Sequence, residues 1–353
     1  MKKKIAVIFG GASSEHDISL VSAANVIRNI SEDKYDVLKV GISKTGHWML
    51  YPGPVSAIAD GSWEKDPDNT SAILSPDTLH KGIIVINEGS VTLVKVDAIF
   101  PVLHGKNGED GTVQGLFKLS GIPFVGCGVL SSAICMDKAM THTVLDYNGI
   151  KTAKWEVINE TDKNYINDIC EKTANKLNYP LFVKPANAGS SIGVRKAENF
   201  AELLSAVHSA FTHDTKVIIE QFVQGREIEV AVFGYSKPFA SLAGEIKTAG
   251  GFYDYESKYV NNTTELFIPA EIPWDVVTEI RETALKAYKV LNCKGLSRID
   301  FFLTEQNEII LNEVNTLPGF TDISMYPKLM EKAGMSQNYL IEKLIEKAID
   351  NEF

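Results

Sequence analysis

No apolar run in this sequence approaches the ~18 residues that a membrane-spanning helix needs, so no membrane partner is expected. The N-terminus imitates a signal peptide, with three lysines before an apolar stretch, but that stretch ends at Phe9, where Gly10, Gly11 and charge intervene. A first buried strand is the better reading. Cysteine is scarce: Cys127, Cys135, Cys170 and Cys293 are scattered and form no C-x-x-C, which removes a zinc ribbon and a disulfide framework and points to a reducing cytoplasm. No run that would make a compensating basic patch is seen, and a formal net charge of -10 argues against nucleic acid as a partner. Neither G-x-x-x-x-G-K-[ST] nor G-x-G-x-x-G occurs, so any nucleotide must be held by something other than a P-loop or an ordinary dinucleotide fold. Low-complexity tracts are absent, and 353 residues at 44% hydrophobic and 23% charged composition suit a globular enzyme of two or three domains.

What is present is α/β alternation. Lys4–Phe9 reads as a strand, and the turn Gly10–Ser14 leads into a helix with Leu20, Ala24, Ile27 and Ile30 at helical spacing, opened by a Ser14–Asp17 capping box. Strands at Val37–Ile42, Ala98–Leu103 and Pro123–Val125, with a helix at Thr112–Leu119, make a parallel α/β domain over 1–130. The insert Ser43–Val96 reads as less regular, apart from a hairpin in which Ile83–Ile86 and Val91–Val96 flank Asn87-Glu88-Gly89. A helix at Ser131–Tyr147 opens a second domain over 131–225, with strands Trp155–Ile158, Pro180–Lys184 and Val217–Phe222 between helices at Tyr165–Leu177 and Phe200–Phe211. A third, α+β lobe over 226–353 carries strands Glu229–Gly234 and Phe239–Glu245, a helix at Trp274–Leu291, a hairpin and a closing helix at Gln337–Ile349.

That hairpin carries the strongest chemical signal. In SRIDFFLTEQNEIILNEVN the alternation on both sides of Glu305-Gln306-Asn307 predicts two antiparallel strands. With Gln306 and Asn307 as the turn, Arg298 lies opposite Asn315 and Asp300 opposite Glu313, all on one face. Two carboxylates facing each other across a strand pair repel, and a divalent cation removes that penalty. Oxygen ligands from Asp, Glu and Asn suit magnesium. A solvated outer face is the bland alternative, but Arg298 and Asn315 sharing the face favour a site. Weaker signals surround it. Lys138 sits on a predicted helix, and Lys184 ends a strand before the turn Asn187–Gly193, whose backbone N–H groups can wrap phosphate. Gly189–Gly193 also matches G-x-S-x-G, a hydrolase nucleophile elbow, yet beyond Ser191 only His208 and His213 remain, both within one predicted helical stretch and its end, and no histidine follows Phe252. The loop PVLHGKNGEDGTVQG, with His104, Glu109 and Asp110, leaves a strand end where α/β proteins place ligands. Gly250-Gly251 ahead of FYDYESKY reads as a hinge before an aromatic flap.

Together these segments closely resemble the D-alanine:D-alanine ligases of the ATP-grasp superfamily. The likeness covers nearly the whole chain and rests on FGGASSEHDISL, PVLHGKNGEDGT, Met136-Asp137-Lys138, KPANAGSSIG, FYDYESKY and NEVNTLPGF, in the family's order. It implies an ATP-grasp fold of three lobes: an N-terminal parallel α/β domain, then central and C-terminal α+β lobes that clasp ATP. It implies ATP as co-substrate, two Mg2+ ions with Mn2+ as a substitute, a cytoplasmic homodimer, and synthesis of the terminal dipeptide of peptidoglycan precursors.

By that resemblance Lys138 and Lys184 would bind ATP phosphates, Glu220, Gln221, Phe222 and Val223 would line the adenine slot, and Glu227 would hold the ribose. Gln221 stands where some members carry lysine. Asp300, Glu313 and Asn315 would bind the metal ions. Glu15, with His104 nearby, would hold the first D-alanine. Arg298 and the Gly319 N–H would form the oxyanion hole, while Lys258 and Ser324 would receive the second carboxylate. Ser190 and Tyr259 would close the flap by hydrogen bonding toward Glu15. Tyr259 and Met325 favour D-alanine over D-lactate or D-serine as second substrate, since D-lactate ligases often lack the tyrosine and several resistance ligases carry arginine at the methionine. An ATP-grasp ligase with another second substrate, or a nucleotide-binding relative without catalysis, are the competing expectations.

Overall fold

The apolar runs of Lys3–Gly10 (β1) and Ala98–Leu103 (β7) are buried on both faces, as central parallel strands are. In the computed structural model, which describes residues 2–248 and 264–350, β1 pairs in parallel with Tyr35–Ile42 (β2) on one side and β7 on the other. The insert expected to be irregular adds four antiparallel strands to this sheet: Trp48–Leu50 (β3), Thr70–Leu74 (β4), Gly82–Asn87 (β5) and Ser90–Lys95 (β6). The order is β6-β5-β4-β3-β2-β1-β7, so the sheet is mixed rather than parallel. Strands as short as β3 show too few alternations to stand out as a pattern. The predicted strand Pro123–Val125 is a single bridge from Phe124 to Ile99, since Pro123 has no N–H to extend a ladder.

Helices α1 (His16–Asn29), α2 (Val55–Ala59) and α3 (Thr112–Ser120) belong to this first part. The Ser14–Asp17 capping box does not form. Glu15 is the N-cap residue, the Ser13 hydroxyl accepts its N–H at 3.1 Å, and Asp17 instead pairs with Lys44. Trp63 wedges under the sheet, fully buried and edge-on to Phe9 at 5.0 Å. Gly41 makes room for it, because a Cβ there would lie 2.2 Å from the indole.

The single helix expected at Ser131–Tyr147 is two, α4 (Val129–Met136) and α5 (Lys138–Tyr147). Asp137 between them has extended dihedrals and caps α5 by accepting the Met140 N–H at 3.1 Å, an arrangement that ends one helix and starts the next. Next come strands β8 (Trp155–Asn159), β9 (Leu181–Pro185), β10 (Arg195–Ala197) and β11 (Lys216–Gln221), antiparallel in the order β10-β9-β11-β8, with helices α6 (Ile166–Leu177) and α7 (Phe200–Ala210).

The third sheet runs β15-β14-β12-β16-β17 with β13 beside β12, from β12 (Arg226–Gly234), β13 (Phe239–Ala240), β14 (Gly244–Thr248), β15 (Thr264–Phe267), β16 (Gly295–Leu303) and β17 (Ile309–Asn315). The expected strand Phe239–Glu245 is thus divided in two. Helices α8 (Trp274–Val290), α9 (Met325–Lys332) and α10 (Gln337–Ile349) complete it. Ala231, Leu296, Phe320 and Met325 share one continuous core with residues of β1, β7 and α1, which fixes the first sheet against the third. No helix among the described residues is long and apolar enough to cross a membrane. Trp63→Ala should cost about 3–5 kcal/mol of stability in urea unfolding, through the cavity left under Phe9. A loss below about 1 kcal/mol would show that the wedge is not an anchor of the sheet.

Candidate active site

The β16–β17 hairpin pairs Arg298 with Asn315 and Asp300 with Glu313, the expected register, but reaches it by a different route. Asn307 N–H bonds to Thr304 O at 2.9 Å and Thr304 N–H to Glu308 O at 3.1 Å, so Glu305-Gln306-Asn307 forms the loop and Leu303 pairs with Ile309. One residue too many is then absorbed by a bulge at Asn312, between the Phe301–Leu311 and Asp300–Glu313 pairs. Without it Glu313 would turn to the opposite face of the sheet. The bulge also brings Asn312 into the cavity that Glu313 lines.

Arg298 is the hub of this face. Its Nε and Nη2 donate to Asp300 Oδ1 and Oδ2 at 2.8 and 2.7 Å, and Glu229 Oε2 lies 3.0 Å from Nε. Burial alone would lower the guanidinium pKa, but Asp300 and Glu229 outweigh it and hold Arg298 firmly charged. Asn315 Nδ2 donates to Asp300 Oδ2 at 3.0 Å. Glu229, paired with Asp300 on the neighbouring β12, is a third carboxylate that sequence patterning did not single out.

One cavity of about 430 Å³ opens in front of this face, lined by Glu15, His104, Arg298, Gly319, Ser324 and Met325 among others. Glu15 enters it from the start of α1 and accepts a short hydrogen bond from the Ser190 hydroxyl, joining the first part of the chain to the 187–193 loop. Gly105 makes that position possible: its φ is +70°, and a Cβ there would lie 2.2 Å from Glu15 Oε2. Ser190 and Ser191 are held at φ of 48° and 58°, left-handed conformations that non-glycine residues adopt mainly where the surroundings impose them. His104 is buried, with Nε2 3.4 Å from Ser22 Oγ, and desolvation lowers its pKa to about 4, so it is neutral near pH 7. Half-buried Glu109 accepts the Gly105 N–H at 2.7 Å, and burial, then the nearby Glu15 carboxylate, push its pKa up to about 8. The Gly319 loop is pinned on α1, where Phe320 N–H donates to Ser22 Oγ at 3.3 Å and Asn25 Nδ2 donates to Phe320 O at 2.5 Å.

A second cavity of about 390 Å³ is lined by Lys184, Glu220, Gln221, Phe222, Val223 and Glu227, with Asp300, Asn312 and Glu313 at its floor. Lys138 Nζ donates to Ala188 O at 2.6 Å, and burial lowers its pKa. Lys184 Nζ donates to Glu220 Oε2 at 2.5 Å and lies 3.5 Å from Asn312 Oδ1. The Glu220 carboxylate therefore serves Lys184, in addition to any role of its backbone in the adenine slot. The turn read as a hydrolase elbow is the loop between antiparallel β9 and β10, not a strand-to-helix elbow. The two cavities share Lys138, Ala188, Gly189, Ser190, Glu229 and Glu313. Lys258, Tyr259 and the expected flap lie outside the described residues.

The first cavity carries Glu15, Arg298 and Ser324, the second Lys184 and Glu220, and Lys138 and Glu313 line both. Among family patterns, the D-ala D-ala ligase N-terminus matches residues 4–127 and the D-ala D-ala ligase C-terminus matches 144–346. The chain belongs to the D-alanine–D-alanine ligase family. It is 47% identical to the D-alanine–D-alanine ligase of Caldicellulosiruptor bescii over 99% of this chain and 96% of that one, and 49% identical to D-alanine–D-alanine ligase B of Clostridium tetani over 100% and 95%. Among solved structures, the VanG D-Ala:D-Ser ligase from Enterococcus faecalis superposes with a TM-score of 0.91 at 41% identity, covering 99% of this chain and 100% of that one. The D-alanine-D-alanine ligase from Coxiella burnetii gives 0.86 at 33% identity, covering 99% and 96%. The three sheets are accordingly those of an ATP-grasp ligase, with ATP as co-substrate.

Among the described residues no group of three or more His, Cys, Asp or Glu side chains could hold a metal by itself. The donor set nevertheless fits a magnesium ion shared with a nucleotide: Asp300 and Glu313 offer carboxylate oxygens beside the Asn315 carboxamide, and phosphate and water complete such shells. Glu229, Asp300 and Glu313 also place three carboxylates around one guanidinium, an excess that favours a further cation.

The folded chain binds a proton at His104 only near pH 4, whereas the unfolded chain binds it near 6.5. Acid therefore favours unfolding in that window, and stability should fall as pH drops from 6.5 to 4 by on the order of 3 kcal/mol from this group. In urea titrations His104→Gln should flatten that fall, and an unchanged slope would contradict a buried neutral imidazole.

Proposed function

We propose that this ligase joins two D-alanine molecules into D-alanyl-D-alanine for peptidoglycan precursors, spending ATP through a D-alanyl phosphate. The observation that carries the reading is the wall shared by the two cavities at Lys138, Ser190 and Glu313, across which an acid in one would meet the terminal phosphate of a nucleotide in the other. Glu15, held by Ser190, receives the first D-alanine ammonium beside neutral His104. A carboxylate is a poor electrophile, so its oxygen attacks the γ-phosphorus and ADP leaves. Lys138 and Lys184 stabilise the phosphate charge, while the backbone of Gln221 to Val223 holds adenine and Glu227 the ribose. Asp300, Glu313 and Asn315 would hold two magnesium ions, which when bound screen the crowded phosphate oxygens.

The second D-alanine, its carboxylate at Ser324 and Lys258, loses an amine proton and attacks the acyl carbon. The tetrahedral oxyanion faces Arg298 and the Gly319 N–H, and expulsion of phosphate completes the amide. Arg298 is suited to this because Asp300 and Glu229 fix its orientation in advance. Lys258 and Tyr259, by family likeness, exclude water from the acyl phosphate.

A second reading has D-serine as the second substrate, prompted by the 41% identity to the VanG D-Ala:D-Ser ligase. Met325, buried beside Gly244 at the cavity, offers no charge or strong donor for a serine hydroxyl, which favours D-alanine. The same proposal includes a cytoplasmic homodimer and lobes bounded at 130 and 225, both on family analogy.

Purified protein with Mg2+ and ATP should release ADP on addition of D-alanine and not of L-alanine, with D-serine a poorer second substrate. ADP release indifferent to D-alanine would overturn the assignment. Asp300→Ala should keep the fold by circular dichroism and lose about a thousandfold in kcat. Undiminished turnover would contradict the metal and Arg298 roles.

A further inference from the structure

Lys138 and His142 are four residues apart on α5 and so lie on one face of that helix. Lys138 reaches the wall between the cavities directly. His142, 1% exposed, reaches β11 instead, with Nε2 2.9 Å from Glu220 Oε1, while the other Glu220 oxygen accepts from Lys184 at 2.5 Å. The imidazole stacks on Trp155 at 5.8 Å and 25°, and Trp155 is both the cross-strand partner of Glu220 and bonded through Nε1 to Asp146 at the far end of α5. His142 Nδ1 is buried with no hydrogen-bond partner among the described residues. A carboxylate only accepts, so Nε2 carries a proton toward Glu220.

We propose that His142 is a positioning residue for the ATP half-reaction, holding the Lys184 ammonium at the phosphate end of the nucleotide cavity through Glu220. The inference deepens the ligase reading and rests on Lys184 meeting phosphate there. A buried carboxylate with one oxygen unsatisfied is costly, and it lowers that cost by rotating or by drawing its cation across both oxygens. Either response moves Lys184 Nζ, whose third N–H is the one left for phosphate once Glu220 and Asn312 are counted. His142 removes that freedom by occupying Oε1. Burial alone would raise the Glu220 pKa, but Lys184 and His142 together hold it well below the ordinary carboxylate range. One face of α5 thus sets both lysines, Lys138 by its own reach and Lys184 by relay.

The test compares His142→Phe, which keeps a ring against Trp155 but has no donor, with His142→Gln, which keeps a donor. Steady-state constants for ATP and D-alanine are measured with the full chain, together with the Kd for ADP by calorimetry. His142→Phe should raise both the KM for ATP and the Kd for ADP about tenfold, with the D-alanine KM within about twofold of wild type. His142→Gln should recover most of that loss. Wild-type ADP affinity in His142→Phe, equal impairment of both variants, or equal rises in both substrate constants would overturn the inference. Because ADP binding is read without turnover, a wild-type protein that ignores D-alanine would sink the ligase reading and leave this test standing. If neither variant folds, the His142 tautomer in wild-type protein decides: Nε2–H by 15N NMR supports the relay, and Nδ1–H overturns it.

Discussion

Everything at this site follows from carboxylates brought together where water is scarce. Asp300 and Glu313 face each other across one strand pair, and Glu229 joins them from the next strand. Like charges in that arrangement raise the energy of a sheet, and the structure offsets it with Arg298, whose guanidinium lies against two of the three. The third, Glu313, faces both cavities. A local charge excess of this kind favours cations, and it orients Arg298, to which the proposed mechanism assigns the oxyanion. The electrostatic cost of gathering these carboxylates and the metal-binding role proposed for them are therefore one feature.

The same economy governs how distant parts of the chain meet. Glu15 touches Ser190, His104 lies beside Ser22, and Ser22 accepts from Phe320, so the start of the chain, the Gly-Ser loop and the Gly319 loop are tied by short polar contacts around one cavity. Residues of α1 and β7 share a core with Phe320 beneath those contacts. An acyl phosphate needs such a frame, since its acyl carbon must be presented to an amine within a fraction of an ångström while water is kept away.

Long, strongly patterned elements were legible in the sequence: Ala98–Leu103 and Gln337–Ile349 fall where periodicity puts them. The Asp300–Glu313 pairing was legible too, though by compensation. A two-residue turn and a straight ladder lead to the same pair as the observed loop plus the Asn312 bulge, because a bulge adds one residue to a single strand. Features that depend on partners far along the chain stayed hidden. Glu229 looks like any alternating strand residue until β12 is known to lie beside β16, and His142 looks like a core histidine until α5 is seen against β11. The Ser14–Asp17 box failed for a related reason, since Asp17 has a better partner in Lys44. Short strands β3 and β4 were lost to weak alternation, which made a mixed sheet look parallel.

The central claim is that a substrate carboxylate oxygen attacks phosphorus at the wall the two cavities share. D-alanine labelled with 18O in its carboxyl group tests it directly, by mass spectrometry of the inorganic phosphate formed with the dipeptide. Transfer of one 18O per phosphate is the predicted result. Phosphate without label, with the lost carboxyl oxygen released to water instead, would contradict the account.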